Sequence, residues 1–294
     1  MLDFHALTWQ DKDTYTPYFQ ASPVHYAEYS FFSLWAWLHD YPLEVAYTDA
    51  NICWLRSSGP IHGIFGPVGN WDTITDWDRV LADFDSGTVI YDVPRKLKDI
   101  LVNREGLRFT EDRDQHEYVY SVKDLIALKG KAYSHKRNRV RAFLDGYEWD
   151  YEEITPAVFG EVMDFQEKWR VHREGTMTPD EAASLDGEDI AVRNALGKWK
   201  DFGFMGGLLR VDGRIIAYTI AEELDIENLD VHFEKAFSEY AGSYQAINYM
   251  FLKNQGAGYK YVNREEDMGE LGLRAAKLSY NPILMLEKYQ MEIL

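Results

Sequence analysis

The first half of the chain alternates short apolar runs with turn residues. Runs at Ile52–Arg56, Ile61–Phe65, Thr88–Val93 and Glu117–Val122 read as strands, with turns at Ser57-Ser58-Gly59-Pro60 and Gly66-Pro67. Apolar residues at helical spacing predict helices over Ile74–Phe84 and Arg95–Glu105. Upstream, Phe31, Phe32, Leu34, Trp35, Trp37 and Leu38 leave little polar face, which predicts a buried helix over His25–Leu38, ended by Pro42.

The second half opens with a strand at Glu148–Ile154. Thr155-Pro156 starts a helix in which Val158, Val162, Phe165 and Trp169 share a face, and a second helix runs from about Pro179 to Trp199. The period then shortens to two. Phe204–Val211 and Arg214–Ala221 form a hairpin closed by Asp212-Gly213, a two-residue turn signal. A strand at Leu229–Lys235, a helix from Tyr244 to about Lys253 with an Ile247, Met250 and Phe251 stripe, and a strand at Tyr259–Val262 complete it. That order is the order of an acyltransferase half of the GNAT (Gcn5-related N-acetyltransferase) type, and the first half reads as a weaker copy. The best joint lies in a basic segment between Val122 and Gly146, giving domains at 1–145 and 146–294.

Composition narrows the partners. The chain has 294 residues, 31 Lys and Arg against 49 Asp and Glu, and a formal charge of −18. Such a field repels nucleic acid and anionic bilayers, so either would need a local basic patch. A single cysteine, Cys53, lies in an apolar run and reads as a core residue; one thiol builds no disulfide framework. No apolar run is long enough to span a bilayer, and a cytoplasmic location is expected.

Two segments concentrate charge. Lys129 to Arg141 holds Lys129, Lys131, Lys136, Arg137, Arg139 and Arg141 plus His135, and no acid. It is either a solvated helix face, N-capped by Ser134, or a local phosphate site in which Lys136, Arg137 and Arg139 take the anion. The second segment is Asn263-Arg264-Glu265-Glu266-Asp267-Met268-Gly269, at the end of a late strand, followed by Arg274 and Lys277. Three adjacent acids repel, so they face solvent, pair with Arg264, Arg274 or Lys277, or share a proton. Between these segments, Gly242-Ser243 reads as a helix cap or a pyrophosphate seat. Alternation puts His232 and Glu234 on one strand face, available either for cross-strand pairing or for proton abstraction. Tyr244, Gln245 and Asn248 lie at the start of the next helix, where they either bind substrate or face solvent. The eight histidines show no ligand spacing, and no metal site is expected.

The chain resembles the bacterial DUF2156 group, which is similar to the soluble C-terminal domain of phosphatidylglycerol lysyltransferase. The resemblance covers nearly the whole sequence. It rests on Glu28-Tyr29-Ser30-Phe31 with Leu34 and Trp35, on Lys136-Arg137-Asn138, on Glu234-Lys235-Ala236, on Tyr240 and Gly242 with Tyr244-Gln245-Ala246-Ile247-Asn248, and on Asn263 to Gly269 with Leu273 to Tyr280. It implies an α+β fold of two tandem GNAT-like domains, related to transferases that use aminoacyl-tRNA. The membrane-spanning half of the lysyltransferase and the full acetyl-CoA glycine signature are both missing, which weighs against a lipid acceptor and against acetyl transfer.

The expected function is acyl or aminoacyl transfer to an amine, with aminoacyl-tRNA or acyl-CoA as donor and no certain cofactor. Glu234, Glu265, Glu266 and Asp267 supply the candidate proton acceptors. Arg264, Arg274, Lys277, Tyr244, Gln245 and Asn248 are the candidate substrate contacts. The alternatives are a non-catalytic ligand-binding protein on the same scaffold and a CoA-dependent N-acetyltransferase.

Overall fold

The computed structural model describes residues 2–59, 62–174 and 179–294, with side chains omitted for 173–174 and 179–185. Pro60 and Ile61, where a turn and a strand start are expected, fall outside these residues. The fold is α+β, with two seven-stranded mixed sheets and helices about them.

In chain order the strands are β1 His5–Ala6, β2 Leu43–Tyr47, β3 Ile52–Ser57, β4 Gly63–Gly69, β5 Val89–Pro94, β6 Leu107–Glu111 and β7 Glu117–Ser121. The rest are β8 Trp149–Glu153, β9 Met205–Val211, β10 Arg214–Glu223, β11 Asn228–Ala236, β12 Tyr261–Asn263, β13 Leu284–Leu286 and β14 Lys288–Ile293. The first sheet runs β1-β2-β3-β4-β5-β14-β6 and the second β13-β7-β12-β11-β10-β9-β8.

The compact units do not follow a single cut at 145/146. One comprises Met1–Glu117, Glu266–Arg274 and Met285–Leu294; the other comprises Tyr118–Glu265 and Ala275–Leu284. Two features move the boundary. The last strand, β14, inserts antiparallel between β5 and β6. The basic helix Ser134–Gly146 buries Val140 and Phe143 within the second unit, where Phe143 joins Leu209, Val211, Ile216, Ala246 and Ile247 in one core.

The first unit packs Ile52, Trp54, Trp71, Trp77, Ile90, Val93, Leu97 and Leu101 with Met291 of β14. Cys53 is fully buried here, as a core residue should be. The helix expected over His25–Leu38 is shorter. Ser30 is extended (φ −61°, ψ 147°), so a 3-10 turn at Ala27–Tyr29 stops before it. Ser30 instead caps the helix Phe31–Ala36, its hydroxyl accepting from the Ser33 N–H at 3.1 Å.

The second unit has the expected order of elements: β8, the helices Phe159–Glu174 and Pro179–Gly197, the β9–β10 hairpin, β11, the helix Ser243–Asn254, then β12. The structure places the hairpin turn at Asp212-Gly213, both with positive φ. β11 and β12 pair in parallel only over Asn228–Asp230 and Tyr261–Asn263. β12 ends there, and β11 continues beyond it to Ala236. No described helix is long and apolar enough to cross a membrane.

Gly242 begins the helix that follows β11. Its φ is +87°, and a Cβ there would fall on the carbonyl oxygen of Arg139 in the basic helix. Both left-handed backbone and close approach require glycine. Gly242→Ala should therefore cost about 2–4 kcal/mol. Gly213→Ala has positive φ but nothing within 4 Å, and should cost only about 1 kcal/mol. Urea unfolding midpoints of the two variants make the comparison.

Candidate functional site

At the end of β12, side chains from six segments of the second unit converge. Arg264 leaves the end of β12 and donates from Nη2 to Glu234 Oε1 of β11 at 2.7 Å. Asn248, on the helix after β11, donates to the other oxygen of Glu234 at 3.0 Å. Arg264 also lies over the rings of Tyr280 and Tyr120, 4.7 and 5.8 Å from their centroids. Its Nη1 ends buried with no hydrogen-bond acceptor among the described residues.

Lys136 enters from the basic helix. It is 6% exposed, and its ammonium sits 3.6 Å from the Tyr280 ring centroid. Among the described residues no carboxylate lies within ion-pair distance of it. Burial, with Arg264 nearby, lowers its pKa to about 8. Burial pushes the Tyr280 hydroxyl up to about 12 although Arg264 pulls it down, and Gln245 hydrogen-bonds to it. Lys277 is buried too; its ammonium donates to the Arg264 carbonyl at 2.6 Å and lies by Tyr118. Tyr120 completes this wall, its hydroxyl donating to the Lys277 carbonyl at 2.9 Å. Buried Lys136 and Lys277 and largely buried Arg264 thus gather near one carboxylate, Glu234.

The sequence matches the family described as "Phosphatidylglycerol lysyltransferase, C-terminal" over residues 20–292. The chain belongs to this family. Its fold is similar to that of a conserved protein of unknown function from Bacteroides thetaiotaomicron VPI-5482, at 31% identity and a TM-score of 0.87, covering 100% of both chains. It is also similar to a C-terminal domain (DUF2156) named for lysylphosphatidylglycerol synthetase from Agrobacterium fabrum, at 14% identity and a TM-score of 0.66, covering 97% of this chain and 92% of that one. An uncharacterized protein of Mycoplasmoides gallisepticum is 24% identical over 181 residues, and that match spans 60% of this chain and 56% of the relative.

In this lysyltransferase-family chain the acidic triplet is dispersed. Glu265, at φ 57°, turns to His232, its Oε1 lying 3.0 Å from Nδ1. Burial opposes a charge on that imidazole, but Asp230, Glu222 and Glu265 outweigh it and raise its pKa well above the ordinary value. Glu266 and Asp267 belong to the first unit. Glu266 acts electrostatically on buried Lys288 and Asp92. Asp267 is fully buried and receives both Nε and Nη2 of Arg274, at 2.9 and 2.6 Å, with Arg113 at 3.3 Å. Arg274 also donates to Asp114 at 2.6 Å, so its guanidinium is spent on acids of its own unit.

The other expected contacts divide as well. Arg137 donates to the carbonyls of Leu128 and Gly130, which ties down a loop. Arg139 is exposed, as are Lys129, Lys131 and Arg141. Tyr244 packs on the core around Phe143. Ser134 is the first residue of its helix instead of the N-cap, and its hydroxyl donates to the Lys131 carbonyl at 2.8 Å. Gly242 takes the cap role, left-handed and packed beneath Arg139. His232 and Glu234, two residues apart on one strand, engage different partners.

Sequence reading overlooked Tyr120 and Tyr280, which wall in Lys136 and Arg264, and the pair Glu222 and Asp230. Glu222 and Asp230 flank the short turn between β10 and β11, and only the strand register shows that they meet directly across the strands. In the first unit the overlooked group is Lys288, fully buried, 2.7 Å from Glu28 and 3.0 Å from Glu117. Burial raises Asp92 to about 6, with Lys288 opposing the rise.

The depressed Lys136 gives a signed pH dependence. Its pKa is lower in the folded chain, so between about pH 8 and 10.5 the unfolded state binds more protons and stability rises with pH. Below pH 8 the cost of a buried ammonium is fully present. Lys136→Met should accordingly be more stable than wild type at pH 7, by on the order of 2 kcal/mol, with the gap closing as pH passes 10. Paired urea titrations between pH 6.5 and 10.5 would check this, and a pH-independent gap would contradict it.

Proposed function

We propose that this chain is an aminoacyl-type acyltransferase that delivers the acyl group of a phosphate-bearing donor to an amine. The observation that carries the reading is the charge balance beyond the end of β12: buried Lys136 and largely buried Arg264 against one carboxylate, Glu234. An anionic donor group supplies the missing negative charge, and the buried Nη1 of Arg264 gains an acceptor. Family membership supports aminoacyl transfer, since the family is named for lysyl transfer.

In this mechanism Lys136 and Arg264 hold the donor's phosphate, and Tyr280 fixes both cations by its ring. Glu234 is aligned by Arg264 and Asn248, each occupying one oxygen and leaving a further lone pair on each. The neutral amine attacks the acyl carbon and a C–N bond forms. The bond from that carbon to the donor's oxygen or sulfur breaks. The amine proton passes to Glu234 and from it to the leaving atom. Exposed Lys129, Lys131, Arg139 and Arg141 extend the positive path for a long polyanionic donor.

Competition binding of aminoacyl-tRNA, uncharged tRNA and acetyl-CoA at near-physiological salt tests the donor. Preference for the charged tRNA is expected, weakened at least about tenfold in Lys136→Met, where a phosphate contact is lost. Glu234→Gln should keep binding and lower turnover at least about a hundredfold. Binding of acetyl-CoA alone would move the donor to the acyl-CoA class. Binding of none of the three would overturn the reading.

The pairing within the last block favours one other reading, a ligand-binding protein on this scaffold. Arg274 and Asp267 satisfy each other, and Lys277 donates to a backbone carbonyl. Lys277→Ala should then lower the Tm by about 4 °C or more without ligand. Unchanged Tm with lost transfer would instead place Lys277 in the reaction.

A further inference from the structure

We infer that Glu222, Asp230 and His232 bind one divalent first-row transition-metal ion, with Glu265 orienting the imidazole. Glu222 of β10 and Asp230 of β11 stand directly opposite each other in the antiparallel pair. Like charges at that position destabilise a sheet, the more so when both are buried, and these are only 6% and 0% exposed. A cation between them turns the repulsion into attraction.

The geometry suits such an ion. The strand register slips between Ile220 and Ala221, which leaves His232 as the extra residue of a β-bulge beside the pair. One ligand atom from each of Glu222, Asp230 and His232 lies within 4.8 Å of the others. Oε1 of Glu222 is buried and lies 3.0 Å from Nε2 of the imidazole. Asp230 Oδ2 is 3.4 Å from the ring at Nδ1.

Glu265 supplies the supporting contact, its Oε1 lying 3.0 Å from Nδ1. With the Nδ1 proton donated to Glu265, the lone pair of Nε2 is on the Glu222 side. Metal-ligating histidines characteristically hand their second N–H to a carboxylate in this way. One imidazole nitrogen with two carboxylates and no thiolate suits Mn(II), Co(II) or Zn(II), and the nitrogen argues against Ca(II) and Mg(II). The site stands apart from the transfer chemistry, because Arg264 turns to Glu234 while its neighbour Glu265 turns to His232.

Cobalt(II) is the probe. Chelator-treated whole chain is titrated with Co(II) while visible absorption and Tm are followed. The expected result is one ion per chain, d–d bands of nitrogen and oxygen coordination, and a Tm rise of at least about 5 °C at a hundredfold excess over Kd. Zn(II) should displace the colour. Glu222→Gln, which keeps the side-chain shape, and His232→Asn should each weaken binding about a hundredfold or more, with circular dichroism confirming the fold. Absence of bands and of a Tm change in wild type overturns the inference. So do bands that persist unaltered in both variants, since the ion would then sit on other acids.

Discussion

Three consecutive carboxylates cannot be buried in one place, and the way Glu265, Glu266 and Asp267 separate governs what surrounds them. Left-handed backbone at Glu265, Met268 and Gly269 sends the side chains to different partners. Asp267 takes two arginines, Glu265 takes a histidine, and Glu266 adds to the field around Lys288. Gly269 is needed for a second reason, because a side chain there would press on Asp114. Arg264, immediately before the triplet, is consequently free to serve Glu234.

The chain buries lysines in two opposite ways. Lys288 is surrounded by Glu28, Glu117 and Asp92; burial disfavours its charge, but the acids prevail and its pKa is raised well above the ordinary value. Lys136 has an aromatic face and a neighbouring arginine, so burial prevails and its pKa falls. The first arrangement is closed: its charges answer one another and hold Ala27, through its N–H to Glu117, beside β14. In the second, the nearby carboxylate Glu234 is held by Arg264. The direction of each shift is set by the partners, not by burial alone.

What could be read from the sequence was local. The Asp212-Gly213 hairpin and the helix stripe of Ile247, Met250 and Phe251 depend on neighbouring residues, and the structure has them as expected. The family block contains Arg264, Lys277 and Tyr280, which the structure gathers near Glu234 and Lys136. It could not distribute the roles, because a charge count does not distinguish Arg137, spent on loop carbonyls, from Lys136, turned inward. The helix Leu271–Leu278 misleads a periodicity argument outright: Leu271, Leu273 and Leu278 are exposed, while Arg274 and Lys277 point to buried partners. Glu222 and Asp230 needed strand register, which one sequence does not supply.

β14 has a consequence for the order of events at the ribosome. The strands on either side of it, β5 and β6, are made long before residues 288–293 exist. Until those last residues emerge, β5 and β6 present open edges and Glu28 and Glu117 lack their lysine. The unit that holds β5 and β6 is therefore completed only after Tyr118–Glu265 has been made, and that segment can gather most of its sheet and core in the interval. Between the synthesis of β6 and that of β14 this unit exposes unpaired strand edges, and its dependence on chaperones should be set by that waiting time more than by its final stability.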